Sequence, residues 1–228
     1  MSAVPAVVAG GSKVLIVGTG LTGSLVCCHL RALTSKLSLH IDVADMARGP
    51  GGRMSTTRHG PESTRANTGA QYLSTSSPKA AALLQAACSA TTSSPSSGNN
   101  LYPRTPCTLD RVDEPVRRTT HFTLNPDDCY THWLPREGTN SALKQFLHRG
   151  KPNTVVFESR LRKVAASVDD AKLVPIFDTG GTASTYDVII LAMPPKDIMK
   201  FFNDDKRDAQ SQADLHRQTN KGRKKVRF

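Results

Sequence analysis

Lys13-Val-Leu-Ile-Val17 is a short, nearly continuous apolar run, β-branched at three of its five positions and followed at once by glycine. Such a run predicts a parallel strand buried on both faces, in the middle of a sheet. From Thr22 the period changes. Leu21, Leu25, Val26, Leu30 and Leu33 fall on adjoining positions of a 3.6-residue repeat, with no proline until Pro50, so a helix follows the strand directly. Leu39-His-Ile-Asp-Val43 then alternates apolar and polar and predicts a second strand, completing a βαβ unit.

The remaining pattern is less regular. Residues 79–88 are rich in strong helix formers and predict a helix. Residues 89–100 are almost entirely Ser, Thr, Pro, Gly and Asn, a composition that cannot bury a face and reads as a flexible loop. Gly138 to His148 predicts another helix, with Leu143, Phe146 and Leu147 on one side and Thr139 or Asn140 as its cap. Thr154-Val-Val-Phe157 and Asp187-Val-Ile-Ile-Leu191 predict strands, the second closed by Pro194-Pro195, with a short antiparallel excursion between them over 161–177. After Phe202 no period survives, and the sequence contains no internal repeat.

Composition fits folded blocks joined by polar linkers: 38% of the 228 residues are hydrophobic and 21% charged. The formal net charge of +11 suggests a polyanionic partner until its distribution is considered. Residues 203–228 hold eight Lys/Arg against four Asp, with no aromatic residues interleaved to stack on bases. A solvated, disordered basic tail is therefore expected, and nucleic acid is not the expected partner. No apolar run approaches the length of a membrane span, and the N-terminus lacks the basic flank of a secretory signal, so a cytoplasmic, membrane-free protein is expected. Five cysteines without a CxxC pair predict reduced, mostly inert thiols. With neither an HExxH motif nor zinc spacing, no metal site is expected, and the absence of a GxSxG elbow disfavours a hydrolase.

Candidate chemistry concentrates at Gly18-Thr-Gly20-Leu-Thr-Gly23, which ends the first strand and opens the first helix. That is the setting a dinucleotide fingerprint requires: Gly18 for the tight turn, Gly20 for close approach of a pyrophosphate, Gly23 for helix–strand packing. The phosphates would lie on the helix N-terminus, where free N–H groups and the helix dipole favour an anion. Asp45, 22 residues beyond Gly23 at the end of the second strand, is placed to accept the ribose hydroxyls; Asp42 lies inside the alternating run and would point off the strand's side. Gly51-Gly52-Arg53, soon after, lets the chain pass close to a cofactor and offers a guanidinium to a phosphate or a flavin.

Together these segments resemble the renalase family. The resemblance is carried by Lys13-Val-Leu-Ile-Val-Gly-Thr-Gly-Leu-Thr-Gly-Ser-Leu25, Gly51-Gly-Arg-Met54 and most specifically Gly69-Ala-Gln-Tyr72. It continues through Leu134–Leu147 and Tyr186–Pro194 in matching order. It implies an α/β fold: a Rossmann-type FAD-binding domain with a parallel sheet, interrupted by part of an inserted α+β substrate domain. The implied segments are 12–76 and 151–202 for the FAD-binding domain, 77–150 for the insertion with its Ser-rich loop 89–100, and 203–228 for the tail. The implied cofactor is FAD. Its contacts would be Gly18, Gly20, Leu21, Thr22 and Gly23 at the pyrophosphate, Asp45 at the ribose, and Gly52 and Arg53 at the phosphate and flavin side. Gly69, Ala70, Gln71 and Tyr72 would line the isoalloxazine, and Leu161 would offer backbone groups to the adenine. The implied reaction oxidises isomeric reduced nicotinamide dinucleotides with dioxygen, releasing hydrogen peroxide. The cofactor carries that chemistry, so no catalytic acid or base is named. The family's later Gly-Asp flavin contact has no counterpart after Pro195. The expectation is thus of a shortened chain, with a catalytically inactive FAD- or nucleotide-binding fragment as the alternative to an active oxidase.

Overall fold

The computed structural model describes residues 11–34, 38–60, 64–88, 107–112, 131–167, 172–179 and 184–200. The Ser-rich segment 89–100 and the tail 203–228 lie outside the described residues. Residues up to Ala192 make one compact unit and those from Met193 another; of the second, 195–200 are helical.

The first unit runs β1 (Lys13–Val17), α1 (Leu21–Leu33), β2 (His40–Ala44), a single 3₁₀ turn (Gly52–Met54), β3 (Thr56–His59), β4 (Thr64–Asn67), β5 (Leu73–Thr75) and α2 (Pro78–Cys88). It continues with β6 (Leu109–Val112), β7 (Thr131–Pro135), α3 (Asn140–Gly150), β8 (Thr154–Val156), β9 (Leu161–Ala166), β10 (Leu173–Phe177) and β11 (Val188–Leu191). A four-stranded parallel sheet, ordered β11-β1-β2-β8, puts β1 mid-sheet as its apolar run predicts. Val14, Leu15, Ile16 and Val17 are all 3% exposed or less, so β1 is buried on both faces. Each such side chain gains about 1.5–3 kcal/mol on leaving water. The excursion over 161–177 is the antiparallel pair β9–β10.

Helices α1 and α3 pack together against this sheet. Val14, Ile16, Ile41 and Val43 from the strands, Cys27 from α1 and Leu147 from α3 share one core. The helices meet at Gly150, where an added Cβ would stand 2.5 Å from the Cys27 sulfur. Arg31 locks the crossing. Its guanidinium donates to the carbonyls of Gly150, Lys151 and Leu39 and to the Asn153 side chain, at 2.9–3.2 Å. Two of those carbonyls belong to the C-terminal end of α3, where a cation also suits the helix dipole.

The antiparallel sheet β5-β7-β6 and helix α2 enclose a second core of Leu84, Ala87, Cys88, Cys107, Trp133, Ala142 and Phe146. Helix α3 thus contributes to both cores. Its capping departs from the sequence expectation: Thr139 occupies the cap position but donates its hydroxyl to the Met54 carbonyl at 3.2 Å. Thr139 makes no side-chain bond to the helix N–H groups, and Ser141 donates its hydroxyl back to the Gly138 carbonyl at 2.7 Å.

Candidate nucleotide-binding site

At the C-terminal end of β1 the chain turns sharply into α1, and Gly18 makes the turn at φ +104°, a conformation side chains resist. Gly18 N–H donates to Ala44 O (2.8 Å), which ties the turn to the end of β2. Gly23 packs the helix down: a Cβ there would lie 1.8 Å from Gly18 O and 3.2 Å from the Ala192 Cβ. Gly20 is different. A Cβ there would meet nothing within 4 Å, so no protein atom explains the missing side chain. Gly20 caps α1 without a side chain, and the first helical turn carries no acidic residue of its own. Leu21 and Thr22, both exposed, flank this opening.

Asp45 lies beside the turn, and its carboxylate serves the protein first. Oδ2 accepts from both the backbone N–H and the hydroxyl of Thr19, at 2.5 Å each, and Oδ1 accepts from Ala47 N–H at 2.8 Å. Two donors saturate Oδ2, so Oδ1 retains the free lone pair. The carboxylate therefore keeps one free lone pair while Thr19 and Ala47 stay bound. Asp42 is buried within β2, whose two faces are both covered. It pairs with His40 Nε2 (2.9 Å), Tyr186 OH (3.0 Å) and Lys13 Nζ (3.6 Å) near the strands' other ends. Burial, then the Asp42 charge, push the Tyr186 hydroxyl well above its ordinary pKa.

Gly52, at φ +57°, faces the same opening: a Cβ on it would lie 3.8 Å from Gly20 Cα. The next residue clasps a distant segment. The Arg53 carbonyl accepts from Ala70 N–H at 2.8 Å, and Gly69 lies so close that a Cβ would sit 2.1 Å from that oxygen. Gln71 folds back on the carbonyls of Asn67 (2.7 Å) and Gly69 (3.2 Å), while Tyr72 is half-buried edge-on to His132 at 5.4 Å. Asn67 Oδ1 in turn accepts from Thr139 N–H at 3.0 Å, anchoring the clasp to α3.

Leu161 is buried at the start of β9, 4% exposed. The connection before it returns to Asp45 through Ser159 N–H to Asp45 O (2.9 Å) and Glu158 N–H to Ala47 O (3.0 Å). An open groove of about 630 Å³ runs there, lined by Met46, Ala47, Arg48, Glu158, Arg160 and Asp178. Sequence reasoning named none of these six, nor Thr19; only the spacing of Thr19 inside the fingerprint could have pointed to it.

Residues 16–87 match the NAD(P)-binding Rossmann-like domain. The Rossmann-like domain thus carries the Gly18–Gly23 turn, Asp45, and the clasp of Arg53 on Gly69 and Ala70. Among solved structures, the chain is similar to a protoporphyrinogen oxidase-like protein from Exiguobacterium sp. 255-15, with a TM-score of 0.54 at 9% identity over 86% of this chain and 62% of that one. That likeness is one of fold, and the chain spans about three fifths of that protein's length. An oxidoreductase from Methanosarcina mazei also matches, with a TM-score of 0.47 at 11% identity, over 78% of this chain and 58% of that one. Among the described residues, no group of His, Cys, Asp or Glu could hold a metal ion, and no helix is long and apolar enough to cross a membrane.

Proposed function

We propose that the Rossmann-like domain binds FAD and that the chain acts as a renalase-like oxidoreductase, oxidising isomeric reduced nicotinamide dinucleotides with dioxygen to give hydrogen peroxide. The observation that carries this reading is the clasp joining Gly51-Gly52-Arg53 to Gly69–Tyr72 beside the open Gly20 turn. The βαβ unit alone fits any dinucleotide. The clasp extends the rim of the site by a second segment, which suits the wide three-ring isoalloxazine of FAD better than a single nicotinamide ring.

The residues fit the group. Gly20 and Gly52 leave open surface where backbone must approach phosphates, and the N-terminus of α1, which no side chain caps, would face their charge. Asp45 Oδ1 would take one ribose hydroxyl. The groove at Met46–Arg48 and Glu158–Arg160, next to Leu161, would hold the adenosine end, and Arg53, which is exposed, would neutralise phosphate. Gly69, Ala70, Gln71 and Tyr72 would border the ring system. Bound FAD supplies the two-electron redox chemistry, and the protein's part is placement and field.

The test is anaerobic mixing of the FAD-loaded protein with isomeric and ordinary reduced nicotinamide dinucleotides, followed by oxygen. Flavin bleaching by an isomeric form, then one peroxide per dinucleotide on aeration, is the expected result. Flavin that binds but stays oxidised with every dinucleotide would remove the oxidase half of the proposal and leave a binding protein.

A further inference from the structure

Two of the buried cysteines are placed as a pair. The Cys88 and Cys107 sulfurs are 2.9 Å apart, at 4% and 2% exposure, although the residues are 19 apart in sequence. Cys88 is the last residue of α2, and Cys107 precedes β6. The pair is asymmetric. Ser141 Oγ, in the first turn of α3, lies 3.3 Å from Cys107 Sγ and 2.7 Å from the Gly138 carbonyl, so its one proton turns from the carbonyl to the sulfur when Cys107 ionises, and the helix N-terminus favours the same anion. The thiol–thiol hydrogen bond and the contact with Ser141 hold the Cys107 thiol below its ordinary pKa against burial; the same shared bond, with burial, pushes Cys88 upward. Cys27 provides the contrast, a buried thiol pushed up to about 12.

We propose that Cys88 and Cys107 are a peroxide-sensitive dithiol whose oxidation staples the end of α2 to the start of β6. The Cys107 thiolate attacks one oxygen of hydrogen peroxide; the O–O bond breaks, and a sulfenic acid and hydroxide result. The Cys88 thiol then attacks that sulfur, the S–S bond forms, and the sulfenic oxygen leaves as water after taking up the Cys88 proton. In total two thiols lose two electrons and two protons, and one peroxide becomes two waters. Burial slows entry of the oxidant without altering which sulfurs meet. The staple closes a loop of the length that stabilises a fold by restricting its unfolded chain, which for a unit of this size raises Tm by roughly 5–10 °C. It forms inside the core that holds Trp133, the chain's one tryptophan, so oxidation also reports in its fluorescence.

The test uses the full reduced chain without cofactor, so it stands apart from the flavin reading. After treatment with hydrogen peroxide, free thiols are blocked with N-ethylmaleimide and the protein is mapped by mass spectrometry without reductant. The expected product is a Cys88–Cys107 linked peptide, with a Tm rise that dithiothreitol reverses and that Cys28→Ser retains. In Cys88→Ser, dimedone should trap a sulfenic acid at Cys107. Full maleimide labelling of both residues in the oxidised wild-type chain, or linkage chiefly to Cys28 or Cys129, would overturn the proposal.

Discussion

Gly20 and Gly23 look equivalent in the sequence and are opposites in the structure. Gly23 has no room, because a Cβ would lie 1.8 Å from the Gly18 carbonyl. Gly23→Ala must therefore push α1 off β1, and should cost about 1–3 kcal/mol, measurable by urea unfolding, with nucleotide binding lost as well. Thr19 is the residue that pattern reading missed, because its role lies in a long-range bond. Thr19→Val deletes the hydroxyl bond to Asp45 Oδ2 and keeps the backbone one. It should destabilise the fold by about 1 kcal/mol, while freeing a lone pair for the second ribose hydroxyl. A variant that binds nucleotide no more weakly than its lost stability accounts for would support this assignment, whereas complete loss of binding in a well-folded Thr19→Val would contradict it.

At the scale of elements, legibility followed burial. β1 stood out as a continuous apolar run and α1 and β2 by their periods, and all three contribute to one core. The hairpin β3–β4, Thr-Thr-Arg-His against Thr-Arg-Ala-Asn, has exposed or half-buried positions throughout and therefore no period to read. The short strands of β5-β7-β6 likewise become visible only once α2 and α3 cover them. The clasp of Arg53 on Gly69 and Ala70 is made by backbone atoms, so no side chain announces it, and Gly69–Tyr72 was singled out through family resemblance alone. Arg31 shows how much one residue can join: Arg31→Met would leave the carbonyls of Gly150, Lys151 and Leu39 without their charged donor. We expect a loss of about 2–4 kcal/mol in denaturant unfolding, larger than for an exposed arginine on the same helix.

For the molecule as a whole, acids whose neutral form the fold favours set the alkaline limit, Cys27 and Tyr186 among them. Burial raises Cys27 from 9.0 to about 12, and Tyr186 is raised from 10.0, so in both the fold favours the neutral form. Their stabilisation is complete below the unfolded pKa values and fades as pH rises through the folded ones. Unfolding free energy should thus fall progressively above about pH 9, and Tyr186→Phe should flatten the upper part of that fall. The open turn at Gly20 is where we expect a cofactor's phosphates to lie. Titrating FAD into wild-type and Gly20→Ala protein, with flavin fluorescence as the signal and Tm as the control, puts this to the test. Gly20 has φ −69° and open space around its would-be Cβ, so alanine should leave the ligand-free Tm unchanged. About one FAD per wild-type chain is expected, with at least about tenfold weaker binding to Gly20→Ala, because the added methyl meets only the ligand. Equal FAD binding by both proteins, or none by the wild type, would contradict it.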